Sequence, residues 1–218
     1  MESCVQYSVG NIDLDVNIMD MYVGKNIAPG GYLWVFPKGE GFANIGIGVS
    51  GKYSKEKSAL SYIDDFIQIK YPQATIHTTM CGGVPCAKPL SNPIADGLML
   101  VGDAAHFVNP LTGGGIASAM KSGMFAGKVA SESIQKNDIS EKFLNKYVKL
   151  CKKDFSKRHT RIYNVKETIQ KLTDEEMNQM ANKINKFSSK ITLAKVFRTA
   201  VLSKPSLIID VMRMFAGF

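Results

Sequence analysis

The sequence GLMLVGDAAHFVNPLTGGGIASAMKSGMFAG, residues 97–127, carries the most informative pattern in the chain. It begins with an apolar run, residues 98–101, which is bounded by glycines and predicts a buried strand. Gly102 and Asp103 follow at the end of this strand, where an α/β sheet places its ligand. A carboxylate held between a strand and a loop accepts hydrogen bonds from sugar-like hydroxyl groups. The pattern therefore predicts a ligand site at Asp103.

The same pattern continues into the start of a helix. Pro110 interrupts the chain, and Gly113, Gly114 and Gly115 then lead into a segment of small residues. N–H groups at a helix start attract an anion or a polarised carbonyl, and glycines let a bulky ligand approach them. An ordinary glycine-rich strand–turn–helix without a ligand is the alternative interpretation.

The order of strand, GDAA, Pro-x-x-Gly-Gly-Gly and small-residue helix resembles the second FAD motif of the p-hydroxybenzoate-hydroxylase-like flavoproteins. The resemblance implies that Asp103 binds the ribityl and pyrophosphate part of FAD and that residues 113–116 face the flavin ring. His106 is interpreted as a loop histidine satisfied by its neighbours, and no catalytic residue is assigned. The residues that the resemblance assigns to the cofactor are Gly102, Asp103, Ala104, Pro110, Gly113, Gly114, Gly115 and Ile116.

Composition limits the class of protein. The chain has 218 residues, of which 45% are hydrophobic and 21% are charged, as in soluble globular proteins. No apolar run reaches the length of a membrane span, and no signal peptide is predicted. Four cysteines without a CxxC pair and three scattered histidines predict neither a disulfide scaffold nor a metal site.

The net charge of +8 is concentrated in the C-terminal part of the chain. Residues 1–135 carry a net charge of −2, whereas residues 136–218 carry +10. A basic segment indicates an anionic partner, either nucleic acid or a phospholipid surface, and a solvated helical face is the alternative. Residues 191–215 are apolar with interspersed basic side chains, so we expect them to contact a membrane or to pack on the body. Nucleic acid is least favoured, because few aromatic side chains are placed to stack on bases.

Two predicted strands form a hairpin whose faces differ. In the first strand aromatic residues alternate, so their rings share one face. Residues 37–41 are expected to form the loop, and residues 42–49 the returning strand, in which small residues alternate with aliphatic ones. Aromatic rings on one strand opposite glycines on the next indicate a groove for a flat or apolar ligand. The alternative interpretation is ordinary packing within a sheet. The groove face carries Tyr32, Trp34 and Phe36 on the first strand and Asn44, Gly46 and Gly48 on the second.

Other segments before the glycine-rich motif also predict regular structure. Strand-like runs occupy residues 4–9, 15–23 and 74–80. An amphipathic helix occupies residues 55–70, with Ser54 as its cap. Residues 46–51 fit GxGxxG, but the helix cap lies past the last glycine, so we do not expect a dinucleotide-binding fingerprint there.

The sequence after Gly115 is predicted to be helical. The first helix is expected to run to about Ser133 and to pack its small residues on a sheet. From Ser140 onward, apolar residues between 143 and 155 keep a 3.6-residue period. Thr173–Glu176 forms a capping box that starts a new helix.

The segment YLWVFPKG, residues 32–39, followed by NIGIG, residues 44–48, resembles the geranylgeranyl reductase family, especially its archaeal digeranylgeranylglycerophospholipid reductases. The stretches GKNIAPGGY and NPLTGGGIASAMKSG are similar to that family too. In the family, the first segment borders the cavity that holds a prenyl chain beside the flavin. The residues assigned to the substrate are Tyr32, Trp34, Phe36, Pro37, Lys38, Asn44, Gly46 and Gly48.

The resemblance predicts an α/β (α+β) fold of three parts. It implies an incomplete p-hydroxybenzoate-hydroxylase-like FAD-binding fold with an antiparallel substrate-domain sheet and a C-terminal helical segment. The expected parts are residues 1–88, the substrate-binding sheet, residues 89–135, the second half of the FAD-binding domain, and residues 136–218, the helical segment.

Members of this family begin with a Rossmann unit that carries GxGxxG, and this sequence has no counterpart of it. The expected explanations are a truncated or split gene, a partner chain that supplies the Rossmann half, or a fragment that is stable alone. We expect this chain by itself to bind FAD weakly or not at all. Without parallel neighbours, the strand at residues 98–101 is expected to expose an apolar edge.

The resemblance implies FAD-dependent reduction of C=C bonds in geranylgeranyl chains of archaeal membrane phospholipids, with the chain as the C-terminal part of this oxidoreductase. The implied partners are the prenylated phospholipid, the membrane surface and an electron donor. The implied location is cytoplasmic and peripheral to the membrane. A flavin-dependent monooxygenase or halogenase is one alternative, and a non-catalytic prenyl-lipid-binding fragment is another.

Overall fold

The computed structural model describes residues 1–185, which divide into two units. The first unit consists of Met1–Val84 together with the described residues from Lys171 onward, and the second consists of Pro85–Gln170. The basic segment predicted at residues 191–215 lies outside the described residues. The finer division at residues 88 and 135 stays a prediction.

Five antiparallel strands form the sheet of the first unit. They are β1 (Glu2–Gly10), β2 (Asp20–Tyr22), β3 (Tyr32–Gly39), β4 (Phe42–Ser50) and β5 (Thr75–Val84), in the spatial order β2-β3-β4-β1-β5. One face is apolar because β-branched and aromatic side chains alternate with small or polar ones, and helix α1 (Ala59–Lys70) packs on it. The buried residues of this core include Val5, Tyr7, Val9, Leu33, Val35, Ala43, Ile45, Ile47 and Val49 of the sheet and Ile63 and Ile67 of α1.

Helix α1 starts later than the sequence predicted. Its cap is Ser58, whose Oγ accepts a hydrogen bond from the N–H of Ser61 at 3.0 Å. The predicted cap, Ser54, instead belongs to a turn in which its N–H donates to the carbonyl of Ser50 at 3.1 Å. The prediction at Ser54 was wrong because two serines precede the helix and only the tertiary turn distinguishes them.

The strand predicted at residues 15–23 and the hairpin loop predicted at residues 37–41 were both partly wrong. Only Asp20–Tyr22 pairs with β3, because the N–H of Ile18 closes a turn onto the carbonyl of Asp15 at 3.2 Å. Residues 37–39 continue β3, since Pro37 pairs with Ala43 and Gly39 with Phe42, so the hairpin turn is shorter than expected. The strands predicted at residues 4–9, 42–49 and 74–80 are confirmed.

The second unit is mainly helical. It contains a short hairpin of β6 (Ile94–Ala95) and β7 (Leu98–Met99), followed by α2 (Ile116–Gln135), α3 (Glu141–Cys151) and α4 (Lys157–Ile169). A π-helical turn, Lys152–Ser156, joins α3 to α4. The predicted period is confirmed, because the core includes Ala105, Phe107, Val129, Leu144, Tyr147, Val148, Cys151 and Phe155.

The buried strand predicted at residues 98–101 was wrong for most of its length. Only Leu98 and Met99 pair, antiparallel with β6, and the side chains of Leu98 and Val101 are 50% and 38% exposed. Burial of a strand requires neighbouring strands or helices on its faces and edges. Within the described residues, the only strand that pairs with residues 98–99 is the two-residue β6. Apolar side chains are exposed here as expected, although on a two-residue strand and the segment that follows it.

Helix α2 runs two residues beyond the predicted end at Ser133. Its small residues do not pack on a sheet within the described residues, because Ala117, Gly123 and Gly127 are exposed. A Cβ added at either glycine would meet nothing within 4 Å. The opposite side of α2 is buried through Ser118, Ser122, Val129 and Ser133.

The predicted capping box at the start of α5 (Asp174–Asn185) is confirmed. Thr173 Oγ1 accepts from the N–H of Glu176 at 3.2 Å, and Glu176 Oε2 accepts from the N–H of Thr173 at 2.9 Å. Among the helices of residues 1–185, none is both long enough and apolar enough to cross a membrane.

Candidate functional site

Asp103 lies in a 3₁₀ turn, Gly102–Ala105, which follows the end of the β6–β7 hairpin after two intervening residues. Gly102 has a φ of +56°, in the left-handed region that favours glycine, and a Cβ there would lie 3.1 Å from the Cβ of Ala119. Its N–H donates to the Oγ of Ser122 at 3.0 Å, which fastens the turn to α2. The carboxylate of Asp103 is exposed at this fixed position.

Gly115 brings the start of α2 against this carboxylate. A Cβ on Gly115 would lie 2.9 Å from Asp103 Oδ1, so a glycine is needed here for close approach. No side chain caps α2, and its first internal bond runs from the N–H of Ala119 to the carbonyl of Gly115 at 2.9 Å. The N–H groups of the first turn therefore lack helical partners and lie close to Asp103.

Asn109 organises the loop between the turn and the helix, and sequence reasoning missed it. Its Oδ1 accepts from the N–H groups of Leu111 at 3.0 Å and Thr112 at 3.3 Å. Its backbone exchanges two 2.9 Å hydrogen bonds with Gly113 and Gly114. The signal was the Asn-Pro dipeptide, because asparagine before proline favours turn initiation.

His106 and Phe107 anchor the same turn. His106 has a φ of +55°, and its N–H donates to the carbonyl of Asp103 at 2.9 Å. Phe107 is 1% exposed, and its ring packs edge-to-face on Phe155 with centroids 5.0 Å apart. Beyond Phe155 lies His159, at 5.5 Å between ring centroids. The turn that presents Asp103 is thus held by the aromatic core of the second unit.

Burial controls the protonation of the groups in this core. Burial and the neighbouring Arg158 lower the pKa of His159, while the carbonyl of Phe107 opposes the shift. Burial raises the pKa of the Cys151 thiol to about 11 and also raises the pKa of Tyr147. The phenol of Tyr147 donates to the carbonyl of Leu100 at 2.6 Å. The side chains of His159, Cys151 and Tyr147 are therefore neutral at pH 7 and contribute to the packing of the core.

Of the residues assigned to the cofactor, the structure brings together Asp103, Gly115 and the start of α2 at Ile116. Ala104 is exposed beside Asp103, and Pro110 is buried in the loop. A Cβ on Gly114 would lie 3.3 Å from Thr112 Oγ1, within the same loop. All eight residues belong to the second unit.

The groove face predicted for the first unit is the sheet face opposite α1. Trp34 pairs with Gly46, and a Cβ on Gly46 would overlap the indole ring, which therefore lies flat on bare backbone. The rings of Tyr32 and Phe36 flank it, with centroids 5.6 and 6.1 Å from that of Trp34. The alternation predicted for these residues is confirmed.

Gln6 on β1 also contributes to this face and was missed by sequence reasoning. Its Oε1 accepts a hydrogen bond from Trp34 Nε1 at 3.2 Å. The contact crosses β4 and depends on the register Trp34–Gly46–Gln6. No local sequence signal carries that register.

Not every residue assigned to the substrate lies on the aromatic face. Lys38 is exposed near the end of β3. Pro37 instead lines a cavity of about 770 Å³ together with Val35, Leu14 and Tyr71, at the edge of the sheet. Within residues 1–185, no group of three histidine, cysteine, aspartate or glutamate side chains could hold a metal ion.

Comparison with known proteins identifies relatives of this chain. Residues 1–84 match the sequence profile of the geranylgeranyl reductase catalytic domain. A digeranylgeranylglycerophospholipid reductase from Methanococcoides burtonii is 44% identical over 181 residues, which are 83% of this chain and 44% of that protein. One from Methanocaldococcus jannaschii is 38% identical over 212 residues, which are 94% of this chain and 53% of that protein. The chain spans about half the length of the curated relatives that it matches.

Solved structures share the fold. A geranylgeranyl bacteriochlorophyll reductase-like protein from Thermoplasma acidophilum has a TM-score of 0.86 and 35% identity, covering 98% of this chain and 54% of that one. A flavin-dependent brominase has a TM-score of 0.60 at 11% identity, covering 100% and 56%, and shows a common fold alone. The predicted fold class, a mixed α/β fold related to the FAD-binding flavoproteins, is confirmed. From these matches we conclude that the chain belongs to the geranylgeranyl reductase family.

Proposed function

We propose that this chain takes part in the FAD-dependent reduction of C=C bonds in the geranylgeranyl chains of membrane phospholipids. The observation that carries the proposal is the exposed carboxylate of Asp103 against the uncapped start of α2, with Gly115 between them. The names of the relatives, digeranylgeranylglycerophospholipid reductases, support the substrate class.

The residues around Asp103 fit a flavin dinucleotide. The carboxylate accepts hydrogen bonds from ribityl hydroxyls, and the N–H groups at the start of α2 face an anion or a ring carbonyl. Ile116, 81% exposed, offers apolar contact to a flat ring. When bound there, reduced FAD supplies the hydride for the alkene.

The aromatic face of the first unit fits the prenyl chain. An isoprenoid offers apolar area and π-electrons and almost nothing to hydrogen-bond, so rings above bare backbone are suitable partners for it. An isolated double bond is a poor electrophile, and the contribution of the protein is to orient it and to exclude water. The exposed ammonium of Lys38 offers a charge to the lipid headgroup phosphate.

The proposed partners follow from the same reaction. They are a chain that supplies the Rossmann half of the cofactor site, an electron donor, and a membrane surface that presents the prenylated phospholipid. The proposed location is the cytoplasmic side of the membrane, in peripheral contact with it. The basic charge of residues 136–218 supports contact with an anionic surface.

The visible spectrum of the purified chain with added FAD tests the proposal. It is recorded with and without a separately expressed Rossmann half from the same genome. We expect a perturbed flavin spectrum, and alkene reduction by the reduced complex, only when both halves are present. An unperturbed spectrum under both conditions would contradict the cofactor assignment and would favour a lipid-binding module.

A further inference from the structure

The strand register arranges the open face of the sheet in rows that cross the strands. One row consists of Trp34, Gly46, Gln6 and Met80, on β3, β4, β1 and β5. The ring of Trp34 covers Gly46, and its N–H is held by Gln6 at 3.2 Å. Met80, which is 54% exposed, continues the row onto β5. Together these side chains form a wall across four strands.

The neighbouring row has little side-chain bulk. It consists of Tyr32, Gly48, Cys4 and Gly82, so two of its four positions have no side chain. A Cβ on Gly82 would meet nothing within 4 Å, and one on Gly48 would first meet Cys4 Sγ at 3.5 Å. We call this depression the glycine trough, with Gly48, Cys4 and Gly82 as its floor. The floor crosses three strands, a span of about 10 Å at the usual strand spacing.

No side chain on the floor of the glycine trough is charged, and the buried carboxylate of Glu2 lies two positions before Cys4 on the same face of β1. The one titratable floor residue is Cys4, and burial together with Glu2 raises the pKa of this thiol, so it is uncharged at neutral pH. The row on the other side of Trp34 contains Asn44, Ser8 and Thr78, whose polar groups a hydrocarbon would leave unpaired. The floor of the trough therefore offers an apolar chain fewer polar groups than the row on the other side of Trp34.

We propose that the glycine trough seats part of the prenyl chain and that Gly82 determines how much chain fits. In this arrangement Gln6 is a positioning residue, because it fixes the indole of Trp34 as the wall of the trough. The inference rests on the proposed function, which supplies the class of ligand, and it assigns roles to three residues outside the YxWxFPKG segment: Cys4, Gln6 and Gly82.

Trp34 reports directly on the trough, since it is the only tryptophan among the 218 residues. The probe is geranylgeraniol, titrated into the purified full chain while Trp34 emission is recorded. We expect a saturable change for the wild type. Gly82→Leu should weaken binding at least tenfold, because the new side chain fills the floor without meeting another protein atom at its Cβ. Thr79→Leu is the matched control, with equal bulk on the opposite face of β5, and should bind like the wild type.

The role of Gln6 is tested with the same signal. Gln6→Leu removes the acceptor of the indole N–H and should shift Trp34 emission in the absence of any lipid, as well as weakening geranylgeraniol binding. Gln6→Glu keeps an acceptor oxygen in the same place and should restore both signals toward the wild type. An emission spectrum unchanged in Gln6→Leu would overturn the positioning role.

The outcomes separate this inference from the proposed function, because the binding assay needs neither flavin nor turnover. Wild-type affinity in Gly82→Leu, or no response of wild-type Trp34 to saturating geranylgeraniol, would overturn the trough even if the reconstituted complex reduces alkenes. Loss of binding in Gly82→Leu, with no alkene reduction by that complex, would support the trough and reject the reductase.

Discussion

Asp103 and Gly115 are twelve positions apart in sequence and meet at the start of α2, where a Cβ on Gly115 would stand 2.9 Å from Asp103 Oδ1. The contact exists because the left-handed Gly102 turns the chain back onto Ala119 and Ser122 of the same helix. One carboxylate and one uncapped helix start are thereby combined into a single polar site.

Gly115→Ala is expected to weaken FAD binding by the two-chain complex more than tenfold. Gly115 has a φ of −115°, which alanine also adopts, so the backbone is not strained and the effect arises from displacement of the Asp103 carboxylate. Flavin absorbance titration measures the loss. Asp103→Ala should cause a similar loss, and the double variant should be no worse than the single ones. Additive losses would contradict a shared mechanism.

Gly46→Ala is expected to displace the indole of Trp34. Overpacking of this kind typically destabilises a protein by about 1–3 kcal/mol, and we expect a lower melting temperature with a changed Trp34 emission. Gly48→Ala is the control on the same strand and face, because its Cβ would make an ordinary 3.5 Å contact with Cys4 Sγ. Equal emission changes in the two variants would argue against the flat packing of Trp34 on Gly46.

The stability of the chain is expected to fall as the pH drops below about 6.5 because of His159. Burial lowers the pKa of His159 from its ordinary value of 6.5, so the unfolded chain binds the proton more readily than the folded one. The contribution of neutral His159 to the free energy of unfolding is complete above the pKa of this histidine in the unfolded chain. It is lost as the pH falls toward the lower pKa of His159 in the folded chain. One such group gives a slope of at most about 1.4 kcal/mol per pH unit.

Urea unfolding between pH 5.5 and 7.5 measures this dependence on pH. His159→Gln should flatten the slope in this window, since glutamine has no proton to gain. The free energy of unfolding of His77→Gln should keep the wild-type slope, because His77 is exposed. A wild-type slope in His159→Gln would show that other groups carry the pH dependence.

Thr173→Ala is expected to destabilise the start of α5 by about 1 kcal/mol, because it removes the acceptor of the Glu176 N–H. The melting temperature of the chain measures the effect. Glu175→Ala is the control in the same turn, since its exposed side chain lies outside the reciprocal capping contact. Equal losses in the two variants would mean that charge near the helix start matters more than the cap.

The sequence predicted those features that depend on local patterns. The alternation of Tyr32, Trp34 and Phe36 placed their rings on one face, because the side-chain period of a strand is two. The capping box at Thr173 was recognisable because both of its hydrogen bonds join residues three positions apart. The position of Asp103 between strand-like residues and a glycine-rich helix start was likewise readable from spacing.

The features that were missed depend on contacts between distant residues. Burial of residues 98–101 needs neighbouring strands, which a local apolar run cannot guarantee. The contact of Gln6 with Trp34 needs the register of three strands, and the choice of Ser58 over Ser54 needs the turn at Ser50. The anchoring of Phe107 by Phe155 joins residues far apart in sequence.

The π-helical turn at Lys152–Ser156 has a consequence for how the chain tolerates changes in length. An extra residue in an α-helix would rotate everything that follows by about 100°, and a π turn, with its i→i+5 hydrogen bonds, absorbs one extra residue so that the flanking helices keep their phase. His159, Lys166 and Thr168 of α4 are buried in the present phase. Deletion of Lys153 would remove the extra residue and favour an uninterrupted α-helix in which all three stay buried. The helix is therefore expected to tolerate the loss of one residue at this turn, whereas a deletion within α3 or α4 would rotate the buried face away from the core.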